Sequence, residues 1–304
     1  MVVEVRMKTI ITCLSIIVIG LVSCSKPDPI LKIGLVADPQ YENREAAGQR
    51  HYRESLWKLG EAIDSFNYYN VDFVQNLGDI INHGNESFDS IMPFYDKLKA
   101  GTDNYHLLGN HDFAVDSSDM PGLLETLSMP DNYYSYIKKN WRFIVLNSMD
   151  YSFLANPLYQ RDIELIDAYY DNTGGQVNHY DWNGAIGEEQ QEWLKSELQT
   201  AEKESQKVIV FSHMPLRPED VEEKLWNADE IVKILEQSGN VVAHINGHRH
   251  KGGYALVNGI HYISMFGMVD TEINSYGILE IYPDSLVLKG FGNQESHKMV
   301  TGDG

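Results

Sequence analysis

Five apolar runs in this sequence each end in side chains of the cation-binding type. Ile30-Leu-Lys-Ile-Gly-Leu-Val-Ala37 runs into Asp38-Pro39-Gln40, and Val71-Asp-Phe-Val-Gln-Asn-Leu77 into Gly78-Asp79. Tyr105-His-Leu-Leu108 runs into Gly109-Asn110-His111-Asp112, and Val208-Ile-Val-Phe211 into Ser212-His213. Val241-Val-Ala-His-Ile245 runs into Asn246-Gly247-His248-Arg249-His250. Each run reads as a buried strand, and Pro39 prevents orderly continuation of the first. Ligand sites in α/β sheets lie beyond the carboxyl ends of strands, so strands laid side by side bring these loops together. Taken singly, Gly-Asp is a turn and a lone histidine is a core residue. Turns and packing do not explain the whole ordered set. Two carboxylates (Asp38, Asp79), two amides (Gln40, Asn110) and three imidazoles (His213, His248, His250), with no thiolate, suit two borderline or hard divalent cations.

The stretches between these runs alternate strand with helix. Apolar residues at helical spacing (Leu56, Leu59, Ala62, Ile63, Phe66) predict a helix within 45–66, and further helices are predicted over 86–98 and 228–237. Gly187 opens another, with Glu188 and Glu189 in the first turn where the helix dipole favours acids. Runs at 133–137 and 141–146 predict a hairpin around Lys138-Lys139-Asn140. Residues 151–186, rich in Tyr, Asn and Gly, read as a long insertion or lid. After His250, strands at 262–265, 277–282 and 286–290 come in meander order. The predicted fold is α/β: two mixed sheets packed as a sandwich flanked by helices, one domain over 24–304 with its insertion at 151–186.

The formal charge of −20 on 304 residues argues against nucleic acid or an anionic membrane surface as partner, since both would be repelled. The N-terminus reads as separate from the fold. Arg6 and Lys8 precede the uncharged run Thr9–Leu21, a secretory-signal pattern too short for an ordinary membrane-spanning helix. Met7 offers an alternative start. Leu21-Val-Ser-Cys24 resembles the lipobox of bacterial lipoproteins. That resemblance implies cleavage after residue 23, lipidation of Cys24, and an exported protein tethered to a membrane only through that lipid. Cys13 would be discarded and Cys24 capped, so no disulfide is expected. A monomer is expected.

The ordered motifs Asp-x-Gln, Gly-Asp, Gly-Asn-His-Asp, Ser-His and Gly-His-x-His resemble those of the calcineurin-like metallophosphoesterases. Asp38-Pro-Gln-Tyr41, 183–194 (beginning Asn183-Gly-Ala-Ile-Gly), 225–230, 247–254 and 259–271 resemble the manganese-dependent ADP-ribose/CDP-alcohol diphosphatases. The resemblance implies Asp38, Gln40 and His250 on one metal, Asn110, His213 and His248 on the other, and Asp79 between them. It implies manganese as the metal, with iron or zinc as alternatives. It also implies a phosphohydrolase using a water activated by both ions, with His111 facing the phosphoryl group. Asn82 departs from the family pattern, where an acid pairs with that histidine; Asp112 and Asp72 are candidates to compensate. Asn147 is a second departure, with no ligand role.

The implied substrate is a small phosphorylated molecule, a nucleoside diphosphate joined to an alcohol or sugar. Tyr41, Phe113, Tyr254 and Phe266 neighbour the ligand loops and are candidates for stacking on a base, and Arg249 for clamping a phosphate. The alternatives are a phosphomonoesterase or phosphodiesterase on the same frame, and a non-catalytic metal-binding lipoprotein.

Overall fold

The structure is a computed structural model that describes Met1 and residues 27–301, so the lipobox-like run and Cys24 lie outside the described residues. The chain runs β1 (Leu31–Val36), α1 (Ser55–Tyr69), β2 (Phe73–Asn76), α2 (Asn85–Ile91) and β3 (Asp103–Tyr105). After α3 (Leu123–Thr126) comes the hairpin β4 (Tyr134–Lys138) and β5 (Trp141–Val145). Next are α4 (Asn156–Tyr159), α5 (Ile163–Asp171), α6 (Glu188–Lys203), β6 (Lys207–Ser212), α7 (Ala228–Gln237) and β7 (Val241–Asn246). The chain ends in strands: β8 (Lys251–Val257), β9 (Ile260–Phe266), β10 (Ser275–Ile281), β11 (Ser285–Gly292) and β12 (His297–Val300).

These strands form two six-stranded sheets, ordered β12-β11-β10-β1-β2-β3 and β4-β5-β6-β7-β9-β8. Both are mixed, as the sequence predicts. β1, β2 and β3 are parallel, as are β5, β6, β7 and β9, while the outer pairs are antiparallel. Parallel strands are covered on both faces, and every residue of β2, β5 and β7 is buried. Phe143 joins the sheets, its ring 5.1 Å from Phe73 of one and 6.1 Å from Phe211 of the other. The parallel set in each sheet ends at the same edge, and the polar loops leave from there.

Several expectations are corrected. α1 starts at Ser55 rather than near Glu45, because Gly48 takes a left-handed φ of +62° and residues 47–50 close a turn. The helix predicted over 86–98 is α only to Ile91 and continues as a 3₁₀ turn over Met92–Lys97, where Pro93 cannot donate an amide. The third strand pairs over Asp103–Tyr105, ahead of the predicted 105–108, although Leu107 and Leu108 are buried. The late strands are not a meander. β9 pairs with β7 and β8 in one sheet, and the chain then crosses to the other for β10 and β11. β8 is not among the predicted strands, since Gly252 and Gly253 weaken its strand signal. Residues 151–186 carry α4 and α5, and Ile166 and Ala185 pack with Trp226 into a small apolar cluster of their own.

Candidate active site

Four of the polar loop residues sit in the left-handed region that non-glycine side chains rarely adopt: Asp38 (φ 50°), Gln40 (φ 43°), Asp79 (φ 52°) and His248 (φ 63°). Such backbone strain persists only where surrounding contacts hold it, and it gathers at functional sites. Glycines permit the crowding. A Cβ on Gly109 would lie 2.2 Å from Asp79 Oδ1 and 2.7 Å from His213. Asp112 locks the loops together: its buried carboxylate accepts from the amides of Gly109, Asp79, Ile80 and Ile81 at 2.8–3.2 Å.

All seven candidate ligands from the sequence converge. His213 Nε2 lies 3.3 Å from Asp79 Oδ2 and 3.1 Å from Asn110 Oδ1. One ligand atom from each of Asp79, His213 and His248 falls within 4.8 Å of the others. Across Asp79, Gln40 Nε2 donates to Asp79 Oδ2 at 2.9 Å and to His250 Nε2 at 3.2 Å, and His250 Nε2 is 3.6 Å from Asp38 Oδ1. Every imidazole has its second nitrogen held from outside. His213 Nδ1 meets the Leu77 carbonyl at 2.8 Å, His250 Nδ1 meets Asp270 Oδ1 at 2.9 Å, and His248 Nε2 meets Asn183 Oδ1 at 3.2 Å. Metal-binding histidines are oriented in this way.

The electrostatics are those of a crowded, dry site. Burial pushes the Asp38 carboxyl up to about 6, against the pull of His250 and His213. Burial would raise Asp79 as well, but His213, His111 and His248 hold it well below the usual carboxylate range. His213 loses to burial and gains more from Asp79, ending at about 9; His248, buried beside His213, is held well below the ordinary value. Gln40 Oε1 is buried with no hydrogen-bond partner, an arrangement that costs about 1–3 kcal/mol. Gln40 Nε2 is the atom that meets Asp79 and His250, so the amide would turn over to offer this unpaired oxygen to a cation among the candidate ligands. The donor set fits divalent metal.

Gln40, Asp79, Asn110, His248 and His250 floor a cleft of about 810 Å³, also lined by His111, Phe113, Arg50, Lys251, Trp182 and Leu154. The His111 amide donates to Asp79 Oδ1 at 2.7 Å, and its ring Nδ1 faces the Asn82 main-chain carbonyl at 3.3 Å. The Asn82 side chain turns away to Glu42, Asp112 is spent on backbone amides, and Asp72 accepts the Lys32 amide, so neither acid compensates. Asn147 caps Met149 and bonds Gln190, consistent with no ligand role.

Of the five substrate contacts read from the sequence, Phe113 alone lines the cleft. Tyr41 is buried in the core, its backbone paired with Ile81. Tyr254 hydrogen-bonds His261 and stacks on His297, with ring centroids 4.9 Å apart. Phe266 packs beside Gly252, where a Cβ would lie 2.2 Å from its ring. Arg249 bends over Gly253, off the cleft wall. Sequence reasoning missed Arg50, Lys251, Trp182, Asn183 and Asp270. All but Arg50 lie in or next to the stretches that carry the family resemblance; nothing local marked Arg50.

The calcineurin-like phosphoesterase family model matches residues 31–252. The chain belongs to the calcineurin-like phosphoesterases. It is similar to a manganese-dependent ADP-ribose/CDP-alcohol diphosphatase of Oryza sativa subsp. japonica, 29% identical over 304 residues that cover 89% of this chain and 94% of that protein. The Mus musculus protein of the same name is 28% identical over 313 residues, 87% of this chain and 92% of that one. A solved dimetal phosphatase from Danio rerio superposes with a TM-score of 0.81 at 25% identity, covering 90% of this chain and 100% of that chain. This calcineurin-like phosphoesterase is therefore a metal-dependent hydrolase, with the two-sheet fold its motifs predicted.

Proposed function

We propose that this phosphoesterase cleaves the diphosphate of a nucleoside diphosphate joined to an alcohol or sugar, releasing a nucleoside monophosphate and a phosphorylated alcohol. Asp38, Gln40 and His250 hold one divalent cation, Asn110, His213 and His248 the other, and Asp79 reaches both. Manganese is the favoured ion, because the first set is mostly oxygen. When bound, the cations supply charge for the phosphoryl oxygens and an activated water. The chain supplies the rest. With His111 Nδ1–H directed at the Asn82 carbonyl, Nε2 is left for the phosphoryl or leaving oxygen. Arg50 and Lys251 place positive charge on the cleft wall for the diphosphate, and Trp182 gives a flat wall for a base. Trp182 is itself backed by Tyr180, ring centroids 4.9 Å apart.

The observation that carries this reading is the convergence of all seven candidate ligands, in a chain whose relatives bear the diphosphatase name. Turnover of ADP-ribose, CDP-choline and p-nitrophenyl phosphate, with manganese and after chelation, tests it. Manganese-dependent cleavage of either nucleotide well above the simple ester is expected. Preference for the simple ester makes this a phosphomonoesterase, and metal binding without turnover of any of the three removes the enzyme reading.

The signal and lipobox-like run support export and a lipid tether at Cys24. In that setting, extracytoplasmic nucleotides are the natural substrates. Cys24→Ser is expected to move the protein from the membrane fraction to the soluble one. Wild type that is already soluble, with a free thiol at Cys24, would refute the tether.

A further inference from the structure

The stretch beginning Asn183-Gly184-Ala185 contributes none of the seven candidate ligands, yet its first residue touches one of them. Asn183 is fully buried. Its Nδ2 donates to the Asn178 carbonyl at 3.1 Å and to the Glu222 carbonyl at 2.8 Å. Both amide protons are thereby used, which fixes the amide's orientation and leaves Oδ1 facing His248 Nε2 at 3.2 Å. A carbonyl oxygen can only accept, so Nε2 carries the proton and Nδ1 holds the lone pair of the neutral ring. The His248 backbone is pinned independently, its amide 3.0 Å from both oxygens of Asp38.

The neighbours of Asn183 hold it there. A Cβ on Gly184 would lie 2.4 Å from the Ser148 carbonyl, so this close passage admits no side chain without moving Asn183. Gly184 accepts from the Trp226 amide at 2.8 Å, and Ile186 donates to Asn227 Oδ1 at 3.1 Å. Tertiary contacts on both sides of the chain therefore hold the segment that ends the insertion.

We propose that Asn183 is a positioning residue. It sets the tautomer of His248 so that Nδ1 is free for the cation shared with His213 and Asn110. This inference rests on the two-cation reading above.

The test is manganese binding to the full chain, read as stoichiometry and affinity by calorimetry and electron paramagnetic resonance, with thermal melts for each variant. Asn183→Leu keeps the size and removes the acceptor, and it should weaken one of two ions about 10–100-fold while sparing the other. Asn183→Asp restores an acceptor opposite Nε2 but gives up both donations to the Asn178 and Glu222 carbonyls, so it should recover part of that loss. Asn178→Ala cuts bonds from the insertion to the Lys224 and Leu225 carbonyls without touching His248, and should keep both affinities. Two ions bound equally well by wild type and Asn183→Leu would sink this inference alone. Equal losses in Asn178→Ala would mean that a loosened segment, and not the imidazole, is responsible. Fewer than two ions in wild type would sink the underlying reading and this inference with it. In the metal-free wild type, nitrogen-15 spectra should show His248 protonated at Nε2, and a proton at Nδ1 would overturn the proposal even if every variant failed to fold.

Discussion

On one side of Asp79, His250 leans on the Asp270 carboxylate at 2.9 Å; on the other, His213 and His248 lean on the neutral oxygens of Leu77 and Asn183 at 2.8 and 3.2 Å. The first half otherwise offers oxygen, from Asp38 and Gln40, and has this one imidazole. The second has two imidazoles and the Asn110 amide. A carboxylate behind an imidazole makes it a stronger donor, and neutral oxygens do so less. The half with fewer nitrogens thus has the more strongly supported one. The loop that carries Asp270 is itself anchored on both sides of that residue. Buried Lys58 caps the Met268 and Thr271 carbonyls at 2.8 and 2.6 Å, and the amides of Met268 and Val269 bond the Ala37 and Asp38 carbonyls. Both halves belong to one buried network but differ in hardness and backing, so they are expected to differ in metal preference.

The largest predicted effect removes the comparison altogether. Asp79→Ala should lose both ions and reduce turnover to background; elemental analysis that still finds two ions would show that Asp79 is not shared. Next, His111→Ala should leave both halves loaded and cost roughly 10²–10⁴ in rate. Loss of metal instead would make His111 a ligand.

Asp270→Asn addresses one half only. It keeps a hydrogen-bonding partner, removes the charge, and should weaken the ion beside Gln40 by about 10–100-fold without changing the other. Equal weakening of both would mean that the halves do not act separately. Gln40→His is a smaller change. An imidazole in place of the amide oxygen should shift the first half toward zinc or iron and reduce dependence on added manganese. An unchanged activation profile would mean that Gln40 faces away from the metal.

The smallest effect is a pH slope on the second half. Without metal, His213 is held up near 9 by Asp79, so it carries a proton at neutral pH that a cation must displace. Manganese affinity for that half should therefore rise with pH up to about 9 and fall in acid. Titrations across that range check the sign, and a flat profile would show that no such proton is displaced.

The sequence was most informative where signals are local. Each buried strand is an apolar run stopped by Pro, Gly or a polar cluster, and the candidate ligands stand at or just past that stop. Asp38, Asp79, Asn110 and the histidines were legible for that reason. Residues chosen for being next to a ligand fared worse. Along a strand, residues three apart face opposite ways: Lys251, at the start of β8, lines the cleft, while Tyr254 of the same strand turns away and its ring stacks on His297. Likewise, the runs that became β9 and β10 looked alike as strands, but nothing in either run states which sheet it joins. That choice depends on which edge is free once the helices are packed, a property of the whole chain.

The sequence by itself determined most of the order of strand and helix, the residue types at the strand ends, and hence the candidate ligand set, because burial and turn chemistry act over a few residues. Only the tertiary structure decided what stands behind those ligands. Asp270, Asn183 and Lys58 reach the site from segments far from the residues they support, and Arg50 reaches the cleft from a turn where a helix was expected. Hydrogen bonds to an imidazole depend on distances of about 3 Å, and only the folded chain brings residues from such separate segments that close.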